Sequence, residues 1–198
     1  LDNYDKVLDT LLTRLAKFNF AIISSRTGAE FDVDTEALRI PFFGKQYTVT
    51  KNSCFASDGC ADDTKDKILI IDYLLSFGGL DAGDGWIDFR EIPSSFAYDG
   101  AFRAHVESVL EKNAGTIIRR KAELIDKYNG YNITGYVEPD FTVAFQVFPR
   151  VECLVLLYEG DEEVGAGAKV LFSSNAHNFL TTESLAAIAE TLARRLVS

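Results

Sequence analysis

The stretch from Asp140 to Tyr158 constrains the fold more than any other part of the chain. Phe141, Val143, Phe145 and Val147 alternate with Thr142, Ala144 and Gln146, the period-two pattern of a strand with one face buried. Val151 to Tyr158 is almost continuously apolar, which predicts a central strand beside it. Pro149 at the junction fixes φ near −65°, which primed two-residue turns cannot accept. A bulged or wider turn is therefore expected at Phe148-Pro149-Arg150. Two strands this apolar need further strands at their edges and helices over at least one face.

The rest of the chain supplies both. Tyr4, Val7, Leu8, Leu11, Leu12, Leu15 and Phe18 share one face of an amphipathic helix over residues 4–18. A short second helix is predicted from Ala21 to Ser25, ending at Gly28. Leu38, Ile40 and Phe42, then a turn at Phe43-Gly44-Lys45, then Tyr47 and Val49 read as a β-hairpin. The polar run 51–63 reads as a mobile loop with free thiols. Asp62, Asp63 or Thr64 can cap a helix running to Phe77, stopped by Gly78-Gly79. That helix is apolar nearly all round, so it should be the central core helix. Further helices are expected from about Gly100 to Asn113 and from Thr116 to Tyr128. A strand follows over Lys169 to Ser173, and a terminal helix over 181–197 has Thr181 as N-cap. The expected architecture is α+β: a single domain over residues 1–198, helix-rich over 1–130 and strand-rich over 131–174. One antiparallel sheet would be built from the 37–50 and 141–173 strands and covered by the 64–77 and 181–197 helices.

Charge and cysteine usage exclude some functions. The net charge of −10 argues against nucleic acid, because the basic residues form only short groups, Arg119-Arg120-Lys121 and Arg194-Arg195. Both groups fall in predicted helices, where they read as solvated faces or as charges at a helix C-terminus. No apolar run approaches the roughly 20 residues needed to span a bilayer, and no signal-peptide pattern opens the chain. Three cysteines at irregular spacings do not make a disulfide framework, so a reducing cytoplasm is expected.

Chemistry-bearing residues concentrate between Gly85 and His105. Asp84-Gly85-Trp86-Ile87-Asp88-Phe89-Arg90-Glu91 matches the second half of a calcium loop. The first half fails, because Leu80 and Ala82 occupy ligand places, and Pro93 opposes an exiting helix. The stretch reads better as a short strand with Trp86, Asp88 and Arg90 on one side and Ile87, Phe89 and Glu91 on the other. Trp86, Phe89, Phe96, Tyr98 and Phe102 would anchor it, half-buried, while Arg90 and Arg103 present charge beside a pocket. Each Arg merely paired to Asp88, Glu91 or Glu107 is the competing reading. His105 reads as a partly buried structural residue or an acid–base group, and His177 as part of a helix-entry turn or a loop catalyst. Asp161, Glu162 and Glu163 read as a solvated loop. Cys54 and Cys60 are too far apart for a metal hairpin, and no second pair follows. No nucleophile elbow and no paired-histidine metal motif is present in the sequence.

Several segments together resemble a known family. They are Leu38-Arg39-Ile40-Pro41-Phe42-Phe43-Gly44, Ile68 to Leu75, Gly85 to Pro93, Phe148-Pro149-Arg150-Val151, Leu156 to Glu163, and Leu171-Phe172 through His177 to Leu180. In this order they resemble the family called domain of unknown function 3786. The resemblance implies a domain of anaerobic bacteria and archaea, joined in some members to a cysteine-rich iron–sulfur segment like those of corrinoid proteins. It brings no established activity. This chain departs from the joined form, since Cys54, Cys60 and Cys153 do not supply a four-cysteine cluster motif.

The leading expectation is a non-catalytic accessory domain that binds a small molecule or a protein partner, linked to corrinoid or iron–sulfur metabolism. No cofactor, no stoichiometric iron, zinc or calcium, no nucleic acid and no membrane are expected. The ligand-binding candidates are Trp86, Arg90, Glu91, Tyr98, Arg103, His105, Arg150 and His177. The rival is an enzyme acting on a small anionic substrate. Arg90, Arg103 or Arg150 would clamp the anion, with His105 or His177 as the acid–base group.

Overall fold

In the computed structural model the described residues are 3–59, 61–78, 85–135, 139–160 and 164–198. Helix α1 (Asn3–Leu15) is followed by α2 (Phe20–Thr27), which starts where the Asn19 side chain accepts N–H bonds and ends at Gly28 in the left-handed region. Strands β1 (Glu30–Asp32), β2 (Ala37–Phe42), β3 (Lys45–Val49) and β4 (Cys54–Ala56) then form a four-stranded antiparallel sheet in chain order. The β2–β3 turn is Phe43-Gly44, both at positive φ (48° and 79°), the primed geometry that matches strand twist.

Helix α3 (Thr64–Leu74) begins at Asp63, whose side chain accepts the Lys65 N–H, and it buries Leu69, Ile70, Ile71, Tyr73 and Leu74. It stops earlier than the apolar run suggests, and Phe77 is exposed. Strand β5 (Trp86–Asp88) leads through 3₁₀ turns at Phe89–Glu91 and Ser95–Ala97 to α4 (Asp99–Phe102). The chain continues as one π turn, Arg103–Glu107, and then α5 (Ser108–Lys112). Helices α6 (Ala114–Arg119) and α7 (Lys121–Lys127) are separated by a break at Arg120, where a single helix to Tyr128 was expected. Strands β6 (Gly130–Asn132), β7 (Phe141–Phe148), β8 (Val151–Tyr158) and β9 (Gly167–Ser173) precede α8 (Thr182–Val197), capped by Thr181 as expected.

β5 to β9 form a second antiparallel sheet in the order β5-β9-β8-β7-β6, so β8 is the central strand that its apolar run predicts. The register shifts between Gln146 and Phe148, the bulge that accompanies Pro149. The single sheet expected from the 37–50 and 141–173 strands is therefore two. β1 and β4 take the free edges of the hairpin, and β6 and β9 take those of the β7–β8 pair. The sheets abut where the Phe43 N–H reaches the Val147 carbonyl (3.1 Å). Aromatic stacking carries the junction inward: Phe148 lies 4.9 Å from Phe42 and 4.1 Å from Tyr73, whose hydroxyl donates to the Thr27 carbonyl at 2.6 Å.

The fold is α+β, and most of its buried apolar residues form one cluster from Leu12 on α1 to Leu196 on α8. Val143, Phe145, Cys153, Val155, Val170 and Phe172 supply the sheet side of that core. Among the described residues no helix is long and apolar enough to cross a membrane.

Candidate functional site

The Trp86 stretch is shorter as a strand than its alternation suggests. β5 pairs Trp86 with Ser173, Ile87 with Phe172 and Asp88 with Leu171, then ends. It ends because Asp88 accepts the Arg90 N–H (3.0 Å) while Glu91 accepts the Asp88 N–H (2.8 Å), a capping box that starts the 3₁₀ turn. Arg90 therefore leaves the strand register and does not share a face with Trp86 and Asp88, contrary to expectation. Phe89 turns inward and stacks on Phe102 at 4.0 Å, and Tyr98 packs half-buried on the core. Phe96, expected as an anchor, is 95% exposed. Trp86 packs with Leu171 against Ala144, Leu154 and Leu156, the small apolar cluster on the other face of the sheet.

The charges of this region satisfy one another. Arg90 Nε bonds Asp99 Oδ1 at 2.8 Å. Lys169 Nζ sits between Asp88 Oδ2 (2.6 Å) and Glu107 Oε1 (3.4 Å), and Arg103 reaches the other Glu107 oxygen at 3.5 Å. Burial alone would raise the Asp88 carboxyl, but the Arg90 N–H and the Lys169 ammonium outweigh it, and the net shift is downward. Burial likewise opposes the Lys169 charge, and its two carboxylate partners reverse that and raise it.

The π turn explains how one short segment serves two surfaces. Its wider turn sets adjacent Val106 and Glu107 both inward, Val106 into the core and Glu107 toward Lys169. His105 is left on the opposite side, exposed and 3.4 Å from Glu190 of α8. Arg150, in the β7–β8 turn, points its guanidinium at the C-terminus of α2, with Nη2 3.5 Å from the Ser25 carbonyl. Its own carbonyl accepts a bond from Asn175, two residues before exposed His177. The eight candidates thus divide. Trp86, Arg90, Glu91, Tyr98 and Arg103 stay near the ionic network, His105 faces away, and Arg150 and His177 lie near the β7–β8 turn.

His105 faces a groove of about 930 Å³ between α1, α3 and α8. Tyr4, Val7 and Leu11 form one wall, Ile68, Leu69 and Asp72 the floor, and Ser184, Ala187 and Thr191 the other wall, with Val109 beside His105. The apolar face of α1 is only partly covered, since only Leu12 and Leu15 of that helix are buried. Tyr4 is 46% and Val7 42% exposed. α3 and α8 are fixed to each other at both ends of the groove: Arg194 to Asp63 (3.3 Å) and Arg195 to Asp66 (2.6 Å) at one, Ser184 to Asp72 (2.5 Å) at the other. Ala187 and Thr191 carry no motif, so sequence reasoning missed them. The available signal was α3, whose nearly unbroken apolar surface needs cover on every side.

The 51–63 segment expected to be a mobile loop contains strand β4, and Cys54 is buried in it, its thiol pushed up to about 12 by burial. Cys153 is also buried and its thiol raised for the same reason. Cys60, the Leu80–Asp84 part of the calcium-like loop and the Asp161-Glu162-Glu163 run lie outside the described residues. Among the described residues no group of three or more His, Cys, Asp or Glu side chains is arranged to hold a metal ion.

A model of the family described as domain of unknown function (DUF3786) matches residues 19–195. The matched span contains α3, the π turn and most of α8, and begins after α1. No curated protein and no solved structure matches the chain.

Proposed function

The chain belongs to the family described as domain of unknown function (DUF3786), and from that premise we propose that it is a non-catalytic accessory module whose α1/α3/α8 groove binds an apolar or amphipathic ligand. The observation that carries this reading is the groove itself: an apolar floor and walls left open between helices that ion pairs and hydrogen bonds hold in place. Of the residues expected to bind ligand, His105 lines it, and Arg90 and Arg103 belong to the ionic network on the other side of the π turn. The rival enzyme would need an Arg clamp beside a His. The groove lining contains neither Arg90, Arg103 nor Arg150, Arg90 and Arg103 are already paired to carboxylates, and the arginine that does line it, Arg194, is bonded to Asp63. A setting in corrinoid or iron–sulfur metabolism of anaerobes is supported by the family resemblance alone, and a cytoplasmic location by the cysteine usage.

The test uses 1-anilinonaphthalene-8-sulfonate as an apolar probe. Wild-type protein should bind it saturably at about one site, and Ala187→Trp, which fills the groove from α8, should abolish that site with the melting temperature retained. Non-saturable binding, or binding unchanged by Ala187→Trp, would overturn the reading.

A further inference from the structure

Resting on that reading, we infer that the occupant of the groove is an amphipathic helix of a protein partner, laid along α8 with acidic residues at the Lys65/Arg194 end. The shape argues for a helix. On α8 the lining runs from Glu183 to Val197, which at 1.5 Å per residue is about 21 Å, nearly four helical turns. Ser184, Ala187 and Thr191 recur at i, i+3 and i+7, so the α8 wall is low along one line. A low wall admits another helix at the usual interaxial distance of about 8–10 Å. Tyr4, Val7 and Leu11 repeat the same spacing on the facing wall. Two such walls over the Ile68/Leu69 floor match the i, i+3, i+4, i+7 anchors of a helix bound in a groove.

The charges give the occupant its polarity. α3 and α8 run antiparallel, since Asp63 meets Arg194 at one end and Asp72 meets Ser184 at the other. Lys65 lies over the Tyr4 ring at 5.0 Å, so α1 and α3 begin at the same end. That end carries Lys65 and Arg194, the latter shared with Asp63, and there the positive N-termini of α1 and α3 outnumber the one negative C-terminus, that of α8. The opposite end carries Asp72 and Glu183, and His105 and Glu190 face each other on the wall between. A helix with acids in one terminal turn is complemented at the Lys65/Arg194 end and opposed at the other.

The experiment uses two dye-labelled peptides of about fourteen residues, each with Leu at i, i+3, i+4 and i+7 and otherwise Gln. One carries Glu in one terminal turn, and the other carries Lys there. Fluorescence anisotropy should show the Glu peptide binding wild type and losing at least about fivefold in affinity to Lys65→Glu. The Lys peptide should show the reverse preference. Lys65→Glu places a carboxylate in the first turn of α3, where the helix dipole favours it, so the variant is expected to fold. Ala187→Trp should bind neither peptide. The inference is overturned, with the reading intact, if the anilinonaphthalene probe occupies the groove but both peptides fail to bind or both bind Lys65→Glu and wild type equally. It is also overturned if wild type dimerises and Ala187→Trp is monomeric, because a second copy would then be the occupant. If the probe too is indifferent to Ala187→Trp, the reading itself falls.

Discussion

Arg195→Met should destabilise the protein strongly, and by an amount that depends on pH. Arg195 reads in sequence as a solvated charge near a helix end, but its side chain is only 18% exposed and bonds an Asp66 carboxylate that is 8% exposed, at 2.6 Å. Its guanidinium also lies over Phe43 (4.7 Å), Phe42 (5.0 Å) and Tyr128 (6.0 Å). Methionine keeps much of the ring contact through its sulfur, so the lost cation–π attraction is a small part of the cost. The larger part is the stranded carboxylate, for which removal of one partner of a buried pair costs about 3–5 kcal/mol. At pH 8 the lower figure, about 3 kcal/mol, is expected, since Arg195 retains some solvent contact. Burial already raises the Asp66 carboxyl against the pull of Arg195, and without Arg195 it rises further. A raised folded pKa means that its stability contribution is present at low pH and lost as pH rises through that pKa. The variant therefore recovers part of its loss on acidification from pH 8 to pH 5. Urea unfolding of wild type and variant at the two pH values measures this. Asp66→Asn combined with Arg195→Met should restore most of the loss, because no charge is left unpaired. A penalty below about 1 kcal/mol, or one independent of pH, would show that the pair is solvated and the reasoning wrong.

Arg90→Ala should leave stability within about 0.5 kcal/mol in the same assay, since Arg90 is exposed and its bond to Asp99 is a surface pair; a loss of 3 kcal/mol would mark a buried pair instead. Asp88→Asn should lower stability at neutral pH and narrow its gap to wild type in acid. The Asp88 carboxyl is held below its ordinary 3.8, so the stability it contributes is present above that value and is lost as pH falls through the lower folded value. Acid unfolding followed by circular dichroism checks this, and a gap that widens toward pH 2 would contradict it.

The elements that announce themselves by period are the ones the chain builds. The alternation in β7 and the apolar run in β8 place the central sheet, and Asp63 and Thr181 mark their helix starts because capping is local chemistry. β1, β4 and β6 are three residues each, too short for a periodic signal, so the division into two sheets could not be read. The π turn is equally hidden: one extra residue per turn leaves the apolar pattern of Phe102, Val106 and Leu110 looking like ordinary helix. Amphipathicity identified the apolar stripe of α1 but not what covers it, and Tyr4 and Val7 line an open wall. Within the candidate set, the aromatic and charged residues around Trp86 drew attention by density. Of their carboxylate partners, Glu107 is one the sequence suggests and it does pair Arg103, whereas Asp99, at the start of α4, is not.

The central claim, that the α1/α3/α8 groove is the binding surface, is tested most directly by amide-shift mapping during titration with the Glu peptide. The account predicts saturable shifts at Leu11, Ile68, Val109, Ala187 and Thr191, with the Trp86 indole and the Arg90 and Arg103 amides unmoved. Shifts centred on Trp86, Arg90 and Arg103, with Ala187 and Ile68 unchanged, would contradict it and return the site to the ionic network beside β5.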